Sequence, residues 1–410
     1  MSKKKVLFLN YSLHSGGIEK SLVTLLSLFD YEKYDVDLQL FANDGLFLPR
    51  VPKQVHLLPP LFPKEYKLNI RQALPTLLRQ GHPLTALCRA GVTFAGLRGT
   101  MGERLVKMWK VERKFVRKSP KQYDAAIAFM EGQPIYYCAD NVSAKRKIGF
   151  IHGDYTAMGL DRTFDEPYFA KMDAVCTVSE SCKDALVKTF PQFAEKFHVQ
   201  YNILSPKFLR KMAEEPTSVS DHYQGMRVLT IARLSQQKGL DIALPAVSQL
   251  RKKGMNFRWY IIGIGPEKEA LQAQIQELGI QNDVVFLGEQ GNPYPFVKIS
   301  DVYMQPSRFE GKSIAVDEAM ALCKPILLTD FSTARDQITD GKTGLIVPMT
   351  SEGVADGLER LLTNAALRNR LENELAAHDY SNEDEIFKLY ALIDGVSTQE
   401  TPAECRKRGA

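Results

Sequence analysis

Two glutamates, Glu310 and Glu318, stand eight positions apart in "SRFEGKSIAVDEAMALCKPILLTD". A carboxylate buried without partners is costly and tends to take up a proton. The pair therefore needs partners, and the hydroxyl groups of a ligand could supply them. Eight helical residues rise about 12 Å. At that spacing the two could not easily share one proton or one metal, but could touch both ends of an extended ligand. The backbone N–H groups of Gly311, Lys312, Ser313 and Ile314, at a helix start, form a seat for an anion. The plainer reading is that Asp317 and Glu318 simply favour a first helical turn.

Cations suited to an anionic ligand lie elsewhere in the chain. "IARLSQQKG" puts Arg233 at a strand end and Lys238 five residues later, before a glycine. An Arg fork and a Lys point charge together neutralise a diphosphate, although a surface pair would look the same. Gly16-Gly17 sits between a strand and a helix, where the backbone can approach a phosphate closely. An ordinary strand-to-helix turn also fits. Gly263 and Gly265 in "GIGPE" lack the third glycine of a dinucleotide fingerprint, since Lys268 stands there. The strand before them is not the first of its half, so NAD is not expected, and the glycines read as a strand-end turn beside a nucleotide site.

The elements that must position these residues alternate regularly. "KKVLFLNY", "YDVDLQLFA", "QVHLLP", "YDAAIAFM", "KRKIGFIHGD" and "DAVCTVSES" read as strands, with "IEKSLVTLLSLFD" a helix and residues 70–118 helical. After an irregular stretch at 204–225 the pattern restarts. "MRVLTIAR", "FRWYIIGIG", "DVVFLGE", "DVYMQPS" and "TGLIVP" are strands, "GLDIALPAVSQLRKKG" and "PEKEALQAQIQELGI" helices, and two helices close the chain. This predicts an α/β protein of two doubly wound, Rossmann-like domains, 1–204 and 205–382, with a C-terminal helix and tail at 383–410 that packs back on the first. The cleft between two such domains is the default ligand site.

The 410 residues exceed one ordinary core, and 44% hydrophobic with 25% charged residues fit a soluble globular protein. There is no apolar run long enough for a membrane-spanning helix, which takes about 20 residues. The apolar run "VLFLN" near the N-terminus is short for a signal peptide and reads as a first strand. Cys88, Cys138, Cys176, Cys182, Cys323 and Cys405 are scattered without a CxxC pair and read as reduced, cytosolic residues. The net charge of +5 is uneven. Residues 1–200 hold 29 Lys and Arg against 20 Asp and Glu, a balance of +9, and residues 201–410 hold 24 against 28, a balance of −4. Residues 64–121 alone carry 14 basic and 3 acidic residues. That segment reads either as a solvated helical face or as a patch for anionic lipid, with Trp109 of "LVKMWKVERKFV" at the interface. No aromatic-interleaved motif accompanies the charge, so nucleic acid is not expected.

The ordered set resembles the retaining glycosyltransferases of the GT-B fold, glycosyltransferase family four. It comprises Arg233, Lys238-Gly239, the Glu310…Glu318 pair with "EGKS" and "DEAMA", and "KPILLTDFSTARDQITDGKTGLIVP". The resemblance runs through residues 227–350, and through "GGIEKSL" and "IGFIHGDY" in the first half. Residues 60–120, where acceptors differ, match little. "EGKSIAVDEA" with "STARDQI" is similar to bacterial enzymes of surface-polysaccharide assembly. Many members carry Gly-Gly and Glu after the "KPILLTD" strand, where this chain has Ser332-Thr333 and Asp336, near the donor sugar.

The resemblance implies a GT-B fold with its domains facing across a cleft, and a cytoplasmic enzyme at the inner face of the cell membrane. It would move a hexose-type sugar from a nucleotide-sugar donor, a UDP-sugar ahead of a GDP-sugar, to a glycan or polyprenyl-linked acceptor, with no further cofactor. Arg233 and Lys238 would hold the diphosphate, with Gly16 and Gly17 approaching it. Glu318 would bind the ribose. Glu310 and the N–H groups of Gly311, Lys312, Ser313 and Ile314 would hold the donor sugar, with His152 beside it. No Asp-x-Asp motif accompanies these residues, so a metal is not expected. A GT-B-fold epimerase and a non-catalytic GT-B-like partner subunit are the alternatives.

Overall fold

The computed structural model of the protein describes residues 3–14, 16–216, 223–310 and 312–396, with the backbone alone at Met101. Ser15, Gly311 and Cys405 lie outside the described residues. The chain divides into two compact units: residues up to Ile203 together with the segment from Glu383, and Leu204–Asn382.

The first unit is built on a parallel sheet. Its strands are β1 (Lys4–Asn10), β2 (Tyr34–Leu40), β3 (His56–Leu57), β4 (Gln122–Ala128), β5 (Ser143–Ile151), β6 (Ala174–Thr177) and β7 (Phe197–Val199). Their order across the sheet is β3-β2-β1-β4-β5-β6-β7. Strands covered on both faces read as continuous apolar runs, as "VLFL" does in β1. Val6 and Phe8 pack on one side with Leu22 and Leu26 of α1 (Gly17–Ser27). Leu7 and Leu9 pack on the other with Trp109 and Tyr136. The helix Glu385–Asp394 completes the first face with Ile386, Leu389 and Leu392. It is also tied in by the Asp30 N–H, which donates to the Tyr390 hydroxyl at 2.7 Å, and by Lys4–Asp394 at 2.7 Å.

The second unit repeats the device with β8 (Met226–Ile231), β9 (Phe257–Ile262), β10 (Val284–Gly288), β11 (Val302–Gln305), β12 (Ile326–Thr329) and β13 (Leu345–Val347). Their order is β10-β9-β8-β11-β12-β13, again parallel. In both sheets the chain winds outward from the first strand, then returns to its other side. The switch falls between β1 and β4 in the first unit and between β8 and β11 in the second. Each unit is thus an α/β doubly wound domain.

Two expectations are corrected, the irregular stretch at 204–225 and the interfacial place of Trp109, while residues 70–118 are largely helical, as read. The stretch 204–225 contains a helix, Pro206–Ala213, started by Pro206 and by Ser205, whose hydroxyl accepts the Phe208 N–H at 3.1 Å. The basic segment forms three helices, α2 (Ile70–Arg79), α3 (Pro83–Ala95) and α4 (Met101–Glu112). Trp109 of α4 is fully buried and its indole N–H donates to the Tyr168 hydroxyl at 3.2 Å, so it cannot sit at a membrane interface. The apolar spacing in "LVKMWKV" marks the face that α4 turns to the protein core.

The C-terminal helix supplies core to a sheet whose last strand ends at Val199, far earlier in the sequence. Replacing fully buried Leu389 by alanine should therefore cost about 2–5 kcal/mol in urea unfolding. A loss below about 1 kcal/mol would show that the helix is not part of that core.

Candidate functional site

β8 and β11 are neighbours in the sheet, yet their loops leave toward opposite sides. Such a switch opens a crevice at the strands' carboxyl ends, where ligands of α/β sheets bind. Inside the sheet the Trp259 indole donates to Thr230 at 2.9 Å, and the Thr230 hydroxyl to the Met304 carbonyl at 2.6 Å. Beyond the strand ends the two loops are strapped together. The Arg308 guanidinium donates to both oxygens of Asp241 at 2.7 and 2.6 Å, and to the Gln236 carbonyl at 2.7 Å. The Arg308 N–H donates to the Gln237 carbonyl at 2.7 Å and the Gln237 amide to the Phe309 carbonyl at 3.0 Å. These bonds hold the Asp241 carboxyl below its usual range and push the Arg308 guanidinium up. Gly239 follows Lys238 because its φ is +61° and a Cβ would lie 2.0 Å from the Pro306 carbonyl oxygen.

The strap brings Lys238 and Glu310 together. The Lys238 ammonium lies 2.6 and 2.8 Å from the two Glu310 oxygens. The side chains are 19% and 6% exposed. Glu310 Oε1 also accepts from the Ser307 hydroxyl at 2.6 Å and the Gln305 amide at 3.2 Å. Gln305 is itself fixed by the Tyr303 hydroxyl at 2.9 Å. The Thr333 hydroxyl donates to the Glu310 carbonyl at 3.0 Å, so the residue that departs from the Gly-Gly pattern holds this loop's backbone. Arg233, just past β8, is exposed and its guanidinium has no partner among the described residues.

Glu318 is buried in the helix Ile314–Ala321 and accepts from the Tyr294 hydroxyl at 2.8 Å. Burial, reinforced by Glu318, pushes the Tyr294 hydroxyl well above its usual range, so it stays a donor. Residues 306–310 and 312–313 are not helical, so the 12 Å helical rise does not apply. The reading that ligand hydroxyls would supply the partners of both carboxylates is likewise corrected: protein side chains already bind each. At the helix start the Ser313 N–H donates to Gln337 at 3.0 Å, and the Gln337 amide returns to the Ser313 carbonyl at 3.0 Å and to Asp317 at 2.9 Å. Ser313 thus gives its N–H to the protein, while Lys312 sits exposed beside it, 3.5 Å from Asp317. A Cβ on Gly263 or Gly265 would lie 2.0 Å from the Ala232 oxygen or 2.2 Å from the Leu234 oxygen. Those glycines serve close packing of the β9 loop on the β8 loop.

The first unit carries the remaining candidates at its own switch point. Gly16 and Gly17 begin α1, and Glu19 folds back over them: a Cβ on Gly16 would meet its carboxylate at 2.0 Å. His152 follows β5 and packs against the rings of Phe129 and Phe150, which also touch each other. Its Nε2 is 3.0 Å from the Phe129 carbonyl oxygen, and its backbone N–H donates to Glu131 at 3.2 Å. Burial lowers the imidazole to about 4. The ring is neutral near pH 7, the carbonyl takes the Nε2 hydrogen, and Nδ1 is left as an acceptor. Burial raises both Glu19 and Glu131, and the charge of Glu19 adds to the rise of Glu131. An Asp-x-Asp spacing does occur at Asp35-Val36-Asp37 in β2, contrary to the reading above. There Asp37 accepts from Lys121 and Tyr123, each at 2.7 Å.

Sequence reasoning missed Gln305, Ser307, Arg308, Asp241, Tyr294, Gln337, Glu19 and Glu131. Ser307 and Arg308 stood beside Glu310, and Glu19 beside the Gly-Gly turn. Arg308 and Asp241, Tyr294 and Glu318, and Gln337 and Ser313 lie too far apart along the chain to be read from spacing.

Residues 223–377 match the family Glycosyl transferases group 1. The chain is 25% identical to the N-acetylgalactosamine-N,N'-diacetylbacillosaminyl-diphospho-undecaprenol 4-alpha-N-acetylgalactosaminyltransferase of Campylobacter jejuni, over 89% of this chain and 92% of that protein. It is 20% identical to the capsular polysaccharide biosynthesis glycosyltransferase CapM of Staphylococcus aureus, over 87% and 89%. The crystal structure of Anabaena HepE in complex with UDP-glucose superposes with a TM-score of 0.63 at 18% identity, covering 99% of this chain and 100% of that one. The fold is that of GT-B glycosyltransferases. Together with the matched segment, these likenesses support a glycosyltransferase.

If His152 is held neutral as described, its imidazole proton signals should move only slightly between pH 8 and 5 in NMR titration, whereas an exposed histidine titrates near 6.5. Its folded-state value lies below the unfolded one. Its contribution to stability is therefore complete above about 6.5 and lost as pH falls toward about 4. A midpoint near 6.5 for His152 would contradict the geometry.

Proposed function

We propose that the chain moves a hexose-type sugar from a nucleotide-sugar donor to a glycan or lipid-linked acceptor, with retention at the anomeric carbon, in the assembly of a cell-surface polysaccharide. The work would be done in the cytoplasm, at the inner face of the cell membrane. The observation that carries this reading is the pair of cations at the β8–β11 switch: Arg233, exposed and without a partner among the described residues, and Lys238 aimed by Glu310. Support for the sugar chemistry comes from the named relatives, and for a UDP-sugar ahead of a GDP-sugar from HepE, solved with UDP-glucose.

In this reading the bond between the anomeric carbon and the diphosphate oxygen breaks, and negative charge grows on the nucleoside diphosphate. Arg233 and Lys238 stabilise that charge, and Gly16 and Gly17 admit the phosphates closely. The acceptor hydroxyl attacks the face the diphosphate leaves, and its proton passes to the departing phosphate oxygen. Glu318, steadied by Tyr294, accepts from the ribose hydroxyls. Glu310 and the backbone N–H groups of Gly311, Lys312 and Ile314 orient the sugar, the Ser313 N–H being held by Gln337, and Nδ1 of His152 accepts one of its hydroxyls. The two cations supply the charge stabilisation that a metal would otherwise give, so the proposal includes no resident metal.

Lys238→Ala should lower turnover by about 100-fold or more while the fold persists, because Ser307 and Gln305 still bind Glu310. Near-normal turnover would reject the diphosphate role. Glu310→Gln should bind UDP at least as tightly as wild type, because one opposing charge is gone, yet transfer sugar far more slowly. Weaker UDP binding would refute the division of labour. Transfer should continue in excess EDTA. Complete loss, restored by Mg²⁺ or Mn²⁺, would overturn the metal-independent reading.

A further inference from the structure

Seven of the eleven large hydrophobic side chains exposed among the described residues fall between Leu57 and Leu97. The strongest run is on α3 and the turn after it. Leu84, Leu87, Phe94 and Leu97 are 68%, 62%, 72% and 68% exposed. At 100° per residue, Leu84, Leu87 and Phe94 fall within an arc of about 80° on one helix face. Ala86, Cys88 and Val92 of the same helix are buried, so α3 is already anchored and the outer stripe is surplus to its packing. A monomeric soluble domain gains nothing from so concentrated an exposed stripe, and such patches mark interaction sites.

α4 lies against α3, with Val111 only 3.0 Å from where a Cβ on Gly91 would be. The turn and α4, with the residues after it, carry eight exposed Lys and Arg between residues 98 and 118. One exposed carboxylate, Glu103, faces them; Glu112 is buried. A helical hairpin with an apolar stripe and a cationic flank is the pattern of an element lying in the plane of a bilayer surface.

We infer that the α3–α4 hairpin is the surface by which this chain docks on an anionic phospholipid bilayer, with Leu84, Leu87, Phe94 and Leu97 entering the headgroup boundary and the α4 cations on the headgroups. Buried Trp109 takes no part. A second copy of the chain would bring eight cations against eight, which charge repulsion opposes. A soluble polyanion would leave the leucines facing water. The inference is independent of the donor site: a chain that transferred no sugar would present the same surface.

The test uses the full chain with vesicles of phosphatidylcholine, with and without phosphatidylglycerol. Wild type should co-sediment with the phosphatidylglycerol vesicles at low salt and release as salt rises. Tryptophan fluorescence of Phe94→Trp should shift to the blue on those vesicles only. The double variant Leu87→Ser/Phe94→Ser should bind at least about tenfold more weakly with an unchanged thermal midpoint, because both side chains face solvent. Lys107→Glu with Lys110→Glu should flatten the salt dependence. Failure of wild type to bind, undiminished binding by the serine variant, or absence of the blue shift would overturn the inference. So would self-association of wild type that the serine substitutions abolish, since the occupant would then be a second copy.

Discussion

The Lys238 ammonium and the Glu310 carboxylate meet because the loops after β8 and β11 cannot move apart. Two contacts enforce this. The Gly239 backbone lies where any side chain would strike the Pro306 carbonyl, and Arg308 grips Asp241 with both arms of its guanidinium. The Arg308–Asp241 pair is partly exposed and contributes little stability on its own, as such pairs do. Its value lies in register, since a planar fork fixes direction as well as distance. The Lys238–Glu310 pair is more buried, and burying both charges offsets much of their attraction. A hydrophobic pair would hold the loops as well, so the charges are better explained by what they present to a ligand.

The same logic appears in both sheets with different chemistry. At the β1–β4 switch the loops hold Gly16, Gly17, Glu19 and Glu131, with a neutral His152 at the end of β5. At the β8–β11 switch they hold two cations and a carboxylate that one of them already neutralises. Beside its two glycines, the first set offers a neutral imidazole and carboxyls raised by burial, groups that pair with hydroxyls. The second offers positive charge, suited to phosphate. The division follows from which side chains each switch point carries.

Much of the frame was legible in the sequence, because parallel strands covered on both faces leave unbroken apolar runs such as "VLFL" and "ILLT" and helices leave spaced ones. The glycine after Lys238 and the missing third glycine at Lys268 were likewise readable, since backbone conformation demands particular residues. Partnerships were not. Arg308 and Asp241 are 67 positions apart, and Glu318 meets Tyr294 only through folding, so neither pairing leaves a local pattern. Trp109 shows the other limit: spacing revealed that α4 has an apolar face, but not that the core claims it. The exposed stripe of α3 escaped notice because apolar residues on both sides of that helix blur its period.

The central claim is that Arg233 and Lys238 form a diphosphate site at the end of β8. Calorimetric titration with UDP and with uridine tests it most directly. The account predicts that UDP binds wild type at least about tenfold more tightly than uridine, and that the advantage disappears when Arg233 and Lys238 are both alanine. Equal binding of UDP and uridine by wild type, or a UDP advantage that survives the double substitution, would contradict it.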